Sequence, residues 1–389
     1  MNLVKLALAA ERFTQTQPPI KLQAMQCVRA RDKSAVCDRC VEACPANAIR
    51  LEDGVQLDAE ACVRCGLCLH ACPTGVFSGT DDLHRLLYCV SQLVDHETVE
   101  IACAPHPDPA SGDPKVDAVV ITTGCLAALG ASAYLSLAGQ GVKRARARLD
   151  ACARCPLAQV QPQIEATIRQ ANDLLATLGR GERAAVAEPV ARPKRRPVYS
   201  IKNPPVSRRG FFQALSQRGR DLLPQLEGVS ERHRLVEALR QLAPDGADQP
   251  MPGDDFAAFS VSDACTACTT CARICPTGAL AFARDDDQFV LAFSPAECVN
   301  CGLCTRFCEP GALQKTGAPP LSAVISPNAE ILREGTLTRC RKCNTPFAGE
   351  SEDGLCPVCA FRRNNPFGSQ WKAPAFPKSI PNDYSNPAK

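Results

Sequence analysis

Between residues 81 and 96 the chain reads DDLHRLLYCVSQLVDH, and Leu83, Leu86, Leu87, Val90, Leu93 and Val94 recur at helical spacing. The pattern then shortens. TVEIAC (98–103) and DAVVITTGC (117–125) are compact apolar runs that read as buried strands, and ASAYLSLAGQGV (131–142) reads as a helix. RARARLDAC (144–152) predicts a third strand, and LAQVQPQIEATIRQANDLLATLG (157–179) a long closing helix. Strand and helix in alternation predict a small, mostly parallel sheet.

On either side the pattern is of another kind. AIRLEDGVQLD (48–58) alternates around Asp53-Gly54, a two-residue hairpin signal. ALAFARDDDQFVLAF (279–293) offers two short strands around an acidic turn. Each pair of strands lies between two runs of cysteine, so one module occurs twice. Residues 183–209 carry five prolines and eight Lys or Arg against the single Glu188, and read as an extended basic linker. RGFFQALSQRGRDLL and SERHRLVEALRQL predict two amphipathic helices, and the Pro- and Asn-rich end after Cys359 predicts an extended arm.

Composition changes the picture through one residue. There are 25 cysteines among 389 residues, spaced two and three apart, which is ligand spacing rather than disulfide spacing. Thiolates that hold metal suit a reducing compartment, so the expectation is a cytoplasmic protein. A net charge of +3 gives no argument for nucleic acid. No apolar stretch approaches the ~20 residues of a membrane span, so any membrane association would be peripheral, through partners. MNLVKLALAAERF meets Glu11 and Arg12 too early for an export signal and predicts an amphipathic first helix.

Cys265, Cys268, Cys271 and Cys275 form one C-x2-C-x2-C-x3-C run, and Cys298, Cys301, Cys304 and Cys308 form another. Such a run aims three thiolates at one 4Fe-4S cubane and its fourth at the neighbouring one. Cys298, Cys301, Cys304 and Cys275 are therefore expected on one cluster, and Cys265, Cys268, Cys271 and Cys308 on its partner. In the first block Cys62, Cys65, Cys68 and Cys72 are regular. The other run is Cys27, Cys37, Cys40 and Cys44, with the nine residues VRARDKSAV after its first cysteine. The same crossing assigns Cys27, Cys37, Cys40 and Cys72 to one cluster and Cys62, Cys65, Cys68 and Cys44 to the other. Arg29, Arg31, Lys33 and Arg64 lie on these loops, either as a solvated face or as charges that raise potentials or receive an acidic partner.

Both blocks resemble the bacterial dicluster ferredoxins, with Cys-Pro at Cys44, Cys72 and Cys275 and with Cys308-Glu309-Pro310 as a departure. The resemblance implies a polyferredoxin-like iron–sulfur electron-transfer subunit with four 4Fe-4S clusters. Its partners would be redox subunits of a larger oxidoreductase complex.

Cys340, Cys343, Cys356 and Cys359, spaced C-x2-C-x12-C-x2-C, are the pattern of a tetrahedral thiolate site. This segment resembles a zinc ribbon and also a rubredoxin-like knuckle. Asn344 replaces the glycine usual after a rubredoxin cysteine, which favours zinc over iron. Cys89 reads as a small buried apolar residue. Cys103, Cys125, Cys152 and Cys155 remain, each at or just beyond a predicted strand end. Parallel strands would gather them at one sheet edge, for a fifth iron–sulfur cluster or another metal; the alternative is a set of structural cysteines. This part is similar to the cysteine-rich domains of heterodisulfide-reductase-like proteins, with Gly124-Cys125 in place of their adjacent cysteine pair.

Other motifs carry less. Ser207-Arg208-Arg209-Gly210-Phe211-Phe212 resembles a twin-arginine signal, but no apolar core follows it and it reads as a basic helix start. No GK[ST] loop or dinucleotide fingerprint is present, and the five histidines are scattered. The expected fold class is α+β multidomain, with two dicluster ferredoxin-like modules, a small α/β domain and a C-terminal zinc-ribbon or rubredoxin-like knuckle. The expected boundaries are 1–80, 81–182, a linker at 183–209, a helical segment at 210–250, 251–325 and 326–389. Two other functions stay open beside electron relay. One is substrate chemistry at the middle site, and the other is assembly or redox sensing.

Overall fold

The computed structural model describes residues 19–33, 35–79, 82–93, 97–205, 229–243 and 248–365. The helices expected at the amino terminus and at 209–223, the Arg208-Arg209 motif and the chain beyond residue 365 lie outside them. Two compact units form: 1–257 with 294–301 and 318–328, and 258–293 with 302–317 and 329–389.

In the first unit the first cysteine block closes on itself, because Lys21–Leu22 pairs antiparallel with Phe77–Ser78. Ile49–Arg50 pairs antiparallel with Gln56–Leu57, and Gly54 makes the turn at φ 92°. Helix α1 (Leu67–Ala71) ends the block. Helix α2 (Leu83–Ser91) then buries Leu83, Leu86, Cys89 and Val90, the stripe that its spacing prescribes.

Strands β1 (Thr98–Ala102), β2 (Ala118–Ile121), β3 (Arg144–Ala147), β4 (Ala184–Val186) and β5 (Val198–Ser200) make a five-stranded sheet in the order β5-β2-β1-β3-β4. Every pairing is parallel. Helices α3 (Ala131–Gly139) and α4 (Gln161–Thr177) connect strands. Side chains alternate across the sheet. Val99, Ile101, Ala118, Val120, Ala145 and Ala147 join the helices in one apolar core. Glu100, Arg146 and Arg148 fall in the alternate positions.

That second face is closed by charge instead of by apolar side chains. Glu100, with its side chain only 3% exposed, receives Arg148 at 3.2 Å and Arg196 at 2.8 Å. Arg148 also donates to the carbonyls of Pro109 and Ser111, and Arg196 to that of Ala110. Gly112 lies so close that a Cβ there would sit 2.3 Å from Arg196 Nη2.

The expected linker is here corrected. Residues 183–209 supply β4, β5 and the short pair Lys194–Arg195 with Ser111–Gly112. The charge of Arg196 is consumed in folding, because Glu100 neutralises it out of water.

Helix α5 (Glu231–Leu242) places Leu235, Val236, Leu239 and Leu242 in the same core. Ser230 caps it by accepting the His233 N–H. Glu231 is half-buried and accepts from the N–H and hydroxyl of Ser132 at 2.9 and 2.7 Å, at the start of α3. Gly130 is required beside it, since a Cβ would meet Glu231 Oε1 at 2.2 Å.

In the second unit β6 (Ala258–Val261) pairs antiparallel with a later strand at 313–317. The expected hairpin forms as β7 (Leu280–Asp285) and β8 (Gln288–Phe293). That later strand is β9 (Leu313–Gly317), and β10 (Glu330–Thr336) adds to β8 as a third antiparallel strand. Phe259 packs edge-on against Phe293 at 5.1 Å. Thr338–Arg339 pairs with Pro346–Phe347, and helix α6 (Pro357–Asn364) replaces the first part of the expected extended arm.

Replacing Glu100 by Ala leaves the buried Arg196 guanidinium without a counter-charge and Arg148 with Asp150 alone. The expected loss is about 3–5 kcal/mol, read as a lowered thermal unfolding temperature, with Arg146→Ala losing much less.

Candidate metal centres

The cysteine runs turn by the same device. Residues on both sides of the middle cysteine have left-handed backbone in three runs: Arg64 and Gly66, Ala267 and Thr269, Asn300 and Gly302. Alternation of this kind turns successive N–H groups inward, into a concavity suited to an anion. The residue three places after each fourth cysteine is left-handed too: Asn47, Gly75, Gly278 and Gly311. The fourth cysteines then accept backbone N–H bonds, Cys44 from Ala48 at 3.3 Å and Cys72 from Val76 at 3.4 Å. At Cys308 the donor is Leu313, one residue later, at 3.3 Å. The displaced proline at Cys308-Glu309-Pro310 thus lengthens the turn by one residue and keeps the sulfur bonded.

In the first module the cysteines fall into two neighbouring groups. Burial, and then the thiolates of Cys72, Cys37 and Cys27, push Cys40 up to about 12. Burial likewise raises Cys37, with Cys72 and Cys27 adding to it. The insertion after Cys27 coils as a helical turn, Val28–Arg31, and Arg29 reaches back to the Cys37 carbonyl at 3.4 Å. It returns Cys27 to a cavity lined by Cys37, Cys40 and Cys72 with Leu51, Val55, Val76 and Phe77. In the companion set, burial followed by Cys44 and Cys62 lifts Cys65 to about 11. Burial with Cys65, Cys62 and Cys44 raises Cys68 further.

In the second unit, burial and the thiolates of Cys268, Cys265 and Cys308 push Cys271 up to about 11. Cys268 is exposed. The remaining expected set does not fall within one unit: Cys298 and Cys301 are in the first, Cys275 and Cys304 in the second.

The tail cysteines are drawn tighter. Their four sulfurs all lie within 4.8 Å of one another, with Cys343 and Cys356 at 3.7 Å. Sulfurs around one tetrahedral ion with bonds near 2.3 Å stand about 3.8 Å apart, so the site has the size of a single ion. Among the described residues no other group of His, Cys, Asp or Glu is so compact. Backbone N–H groups, that of Cys356 first, hold Cys340 down to about 6, which readies it as a thiolate.

The four middle cysteines also come together. Cys103 follows β1, and its neighbours in the sheet deliver Cys125 after β2 and Cys152 and Cys155 after β3. Burial, then Cys152 and Cys155, push Cys103 up to about 12. Burial raises Cys125 as well, with contributions from Cys103, Cys65 and Cys152. The Cys65 contribution shows that the first module's second set abuts this one. The contact is close: a Cβ on Gly66 would be 2.5 Å from Ala128 Cβ, and His70 Nε2 meets the Ala127 carbonyl at 2.9 Å.

Sequence reasoning missed what stiffens this edge. Asp82, buried just before α2, accepts the backbone N–H groups of Thr123 at 2.8 Å and Gly124 at 2.9 Å, and also the Thr123 hydroxyl. An acid just before a helical stripe was the available signal. Beside Cys152, His106 Nδ1 accepts the Asp108 N–H, so Nε2 carries the proton towards Asp150 at 3.1 Å. His106, and then Arg148, hold the Asp150 carboxyl far below the ordinary range.

Cysteine-lined cores of this kind are those of ferredoxin-like iron–sulfur modules. The comparisons agree: residues 35–76 and 264–312 each match the family described as the 4Fe-4S dicluster domain. The first match begins after Cys27. The chain is a polyferredoxin-like iron–sulfur protein, similar to two uncharacterized ferredoxins of Methanocaldococcus jannaschii. One is 35% identical over 86 residues, which is 22% of this chain and 49% of that protein. The other is 41% identical over 51 residues, 13% of this chain and 31% of that protein. The chain thus spans about half the length of the first relative and about a third of the second. No helix among the described residues is long and apolar enough to cross a membrane.

Gly66→Ala brings a Cβ into Ala128 at a residue with φ 87°. The expected outcome is loss of about one cubane's iron, about four atoms per chain, from anaerobically purified protein. Gly54→Ala, at φ 92° with open space around it, should keep its full iron.

Proposed function

We propose that this chain is a multi-cluster electron relay, a subunit that carries electrons for a larger oxidoreductase complex in the reducing cytoplasm. The observation that carries the reading is the gathering of cysteines in fours in the first module and at the middle sheet edge. Burial and mutual repulsion resist ionisation of these thiols, which calls for a cationic guest. The fit is chemical as well as spatial, because the donors are thiolates and inward N–H groups ring them. Cys27, Cys37, Cys40 and Cys72 would hold one 4Fe-4S cluster, and Cys62, Cys65, Cys68 and Cys44 the second. Cys265, Cys268, Cys271 and Cys308 would hold the third, and Cys298, Cys301, Cys304 and Cys275 the fourth. Such clusters supply one-electron chemistry with little ligand movement. The chain's own residues bury them, hydrogen-bond their sulfurs and set their electrostatic surroundings.

Cys103, Cys125, Cys152 and Cys155 would hold a fifth iron–sulfur cluster. Four thiols around one centre favour a closed, relaying site over one with an open iron for substrate. Its position beside Cys65 supports a branch fed from the first module. Cys340, Cys343, Cys356 and Cys359 would hold one structural ion, zinc in preference to iron, since Asn344 stands where a rubredoxin knuckle has glycine.

Metal analysis with EPR tests this. About sixteen irons per chain are expected from the two modules and about twenty with the middle site. Iron near eight would overturn the reading. The double variant Cys152→Ser, Cys155→Ser should lose about four irons and one EPR component; unchanged iron and spectra would remove the fifth cluster. Cys356→Ser should release the zinc and leave the iron count unaltered.

A further inference from the structure

Next to Glu231, which fixes the start of α3, stands a cation with no ordinary partner. Arg232 is only 8% exposed. Its guanidinium donates to the carbonyls of Pro295 at 2.8 Å, Ala296 at 2.9 Å, Cys298 at 2.5 Å and Asp255 at 2.9 Å. It lies 3.5 Å over the ring of Phe256. These are dipoles and a π face. Among the described residues no carboxylate makes an ion pair with it.

The nearest carboxylate is already engaged. Asp255 gives one oxygen to Arg39 at 2.7 Å and the other to Gln170 at 2.8 Å. Burial, with Arg39 adding to it, holds the Arg232 guanidinium down to about 10, and the anionic influence that offsets this most is Cys298. A buried cation satisfied by carbonyls still lacks a counter-charge, and supplying one recovers part of its desolvation cost. The four carbonyls also fix the chain path into Cys298, since three of them come from residues 295–298.

We infer that Arg232 is a positioning residue and a built-in counter-charge for the cluster that Cys298 helps to hold, and that it raises that cluster's reduction potential. This rests on the reading that Cys298 is a cluster ligand. A cluster gains one negative charge on reduction, and a fixed positive charge beside it in a weakly screening interior stabilises the reduced form. Because Arg232 is held by backbone carbonyls, the charge does not move with redox state. Arg39 is near as well, but Asp255 neutralises it. The same guanidinium thus joins Cys298 to residue 255, whose side chain reaches the first module at Arg39, next to Cys40.

The test is a potentiometric EPR titration of the full chain, anaerobically loaded, as wild type, Arg232→Lys and Arg232→Gln, with iron counted in each. Arg232→Gln is neutral and can still donate to a carbonyl. At fixed solution potential its reduced-to-oxidised ratio should fall about tenfold for one component, ~59 mV for a one-electron couple. The other components should stay in place, and Arg232→Lys should keep the wild-type potential. Loss of that cluster's iron in Arg232→Gln with retention in Arg232→Lys would also support the counter-charge. Unchanged potentials at full iron in Arg232→Gln would overturn it, as would equal shifts or equal iron loss in both variants. Wild-type iron near eight would instead strike the cluster reading itself, a separate failure.

Discussion

Thiols gathered in fours and buried repel one another once ionised, and the remainder of this fold is organised around that repulsion. Burial lifts Cys40, Cys65, Cys103 and Cys271 well above an ordinary thiol, and neighbouring sulfurs lift them further. A chain could relieve the strain by letting its cysteines turn outward. In the first module apolar side chains close round Cys27, Cys40, Cys68 and Cys72 and hold them inward. The strain is resolved by a guest that takes the protons' place. The same argument separates the centres by size: the tail sulfurs crowd round a volume fit for one ion, and the module sulfurs stand wider apart.

The middle domain meets this constraint with a different backbone. Three neighbouring parallel strands end at one edge, and each places a cysteine there or just beyond. Asp82 ties the Thr123-Gly124 turn to the start of α2. The ionic face around Glu100 holds the loop that follows Cys103, since Arg148 binds the carbonyls of Pro109 and Ser111. Rigid strands position the sulfurs here, whereas tight turns do so in the ferredoxin modules. Both routes converge at Gly66 and Ala128, where the absence of one methyl group lets the first module approach the sheet edge.

Much of this was legible in the sequence, and the reason is local geometry. A C-x2-C-x2-C loop is short enough that spacing nearly dictates where its sulfurs point, so which cysteines of the first module are neighbours was legible in advance. The apolar runs at 98–102 and 118–121 and the helical stripe at 83–91 were legible for the same reason: their period is their structure. Residues 183–209 were not, because strands of two or three residues among prolines carry no period and their charge mimics a solvated linker. Arg196 misled in the same way, and nothing in the sequence marked Arg232. An arginine's burial depends on acceptors that lie 64 or 96 residues away along the chain, at Ala296 and Glu100. Nor could the sequence show that Cys65 and Cys125 are neighbours, since a missing side chain at Gly66 has no signature without the Ala128 it meets.

The sulfurs are not shielded alike. Cys27, Cys40, Cys65, Cys68 and Cys72 are buried, whereas Cys268 is exposed on its loop in the second unit. Solvent that reaches a ligand sulfur also admits dissolved oxygen. A cluster held at Cys268 would therefore be more open to air than one held by the buried sulfurs of the first module.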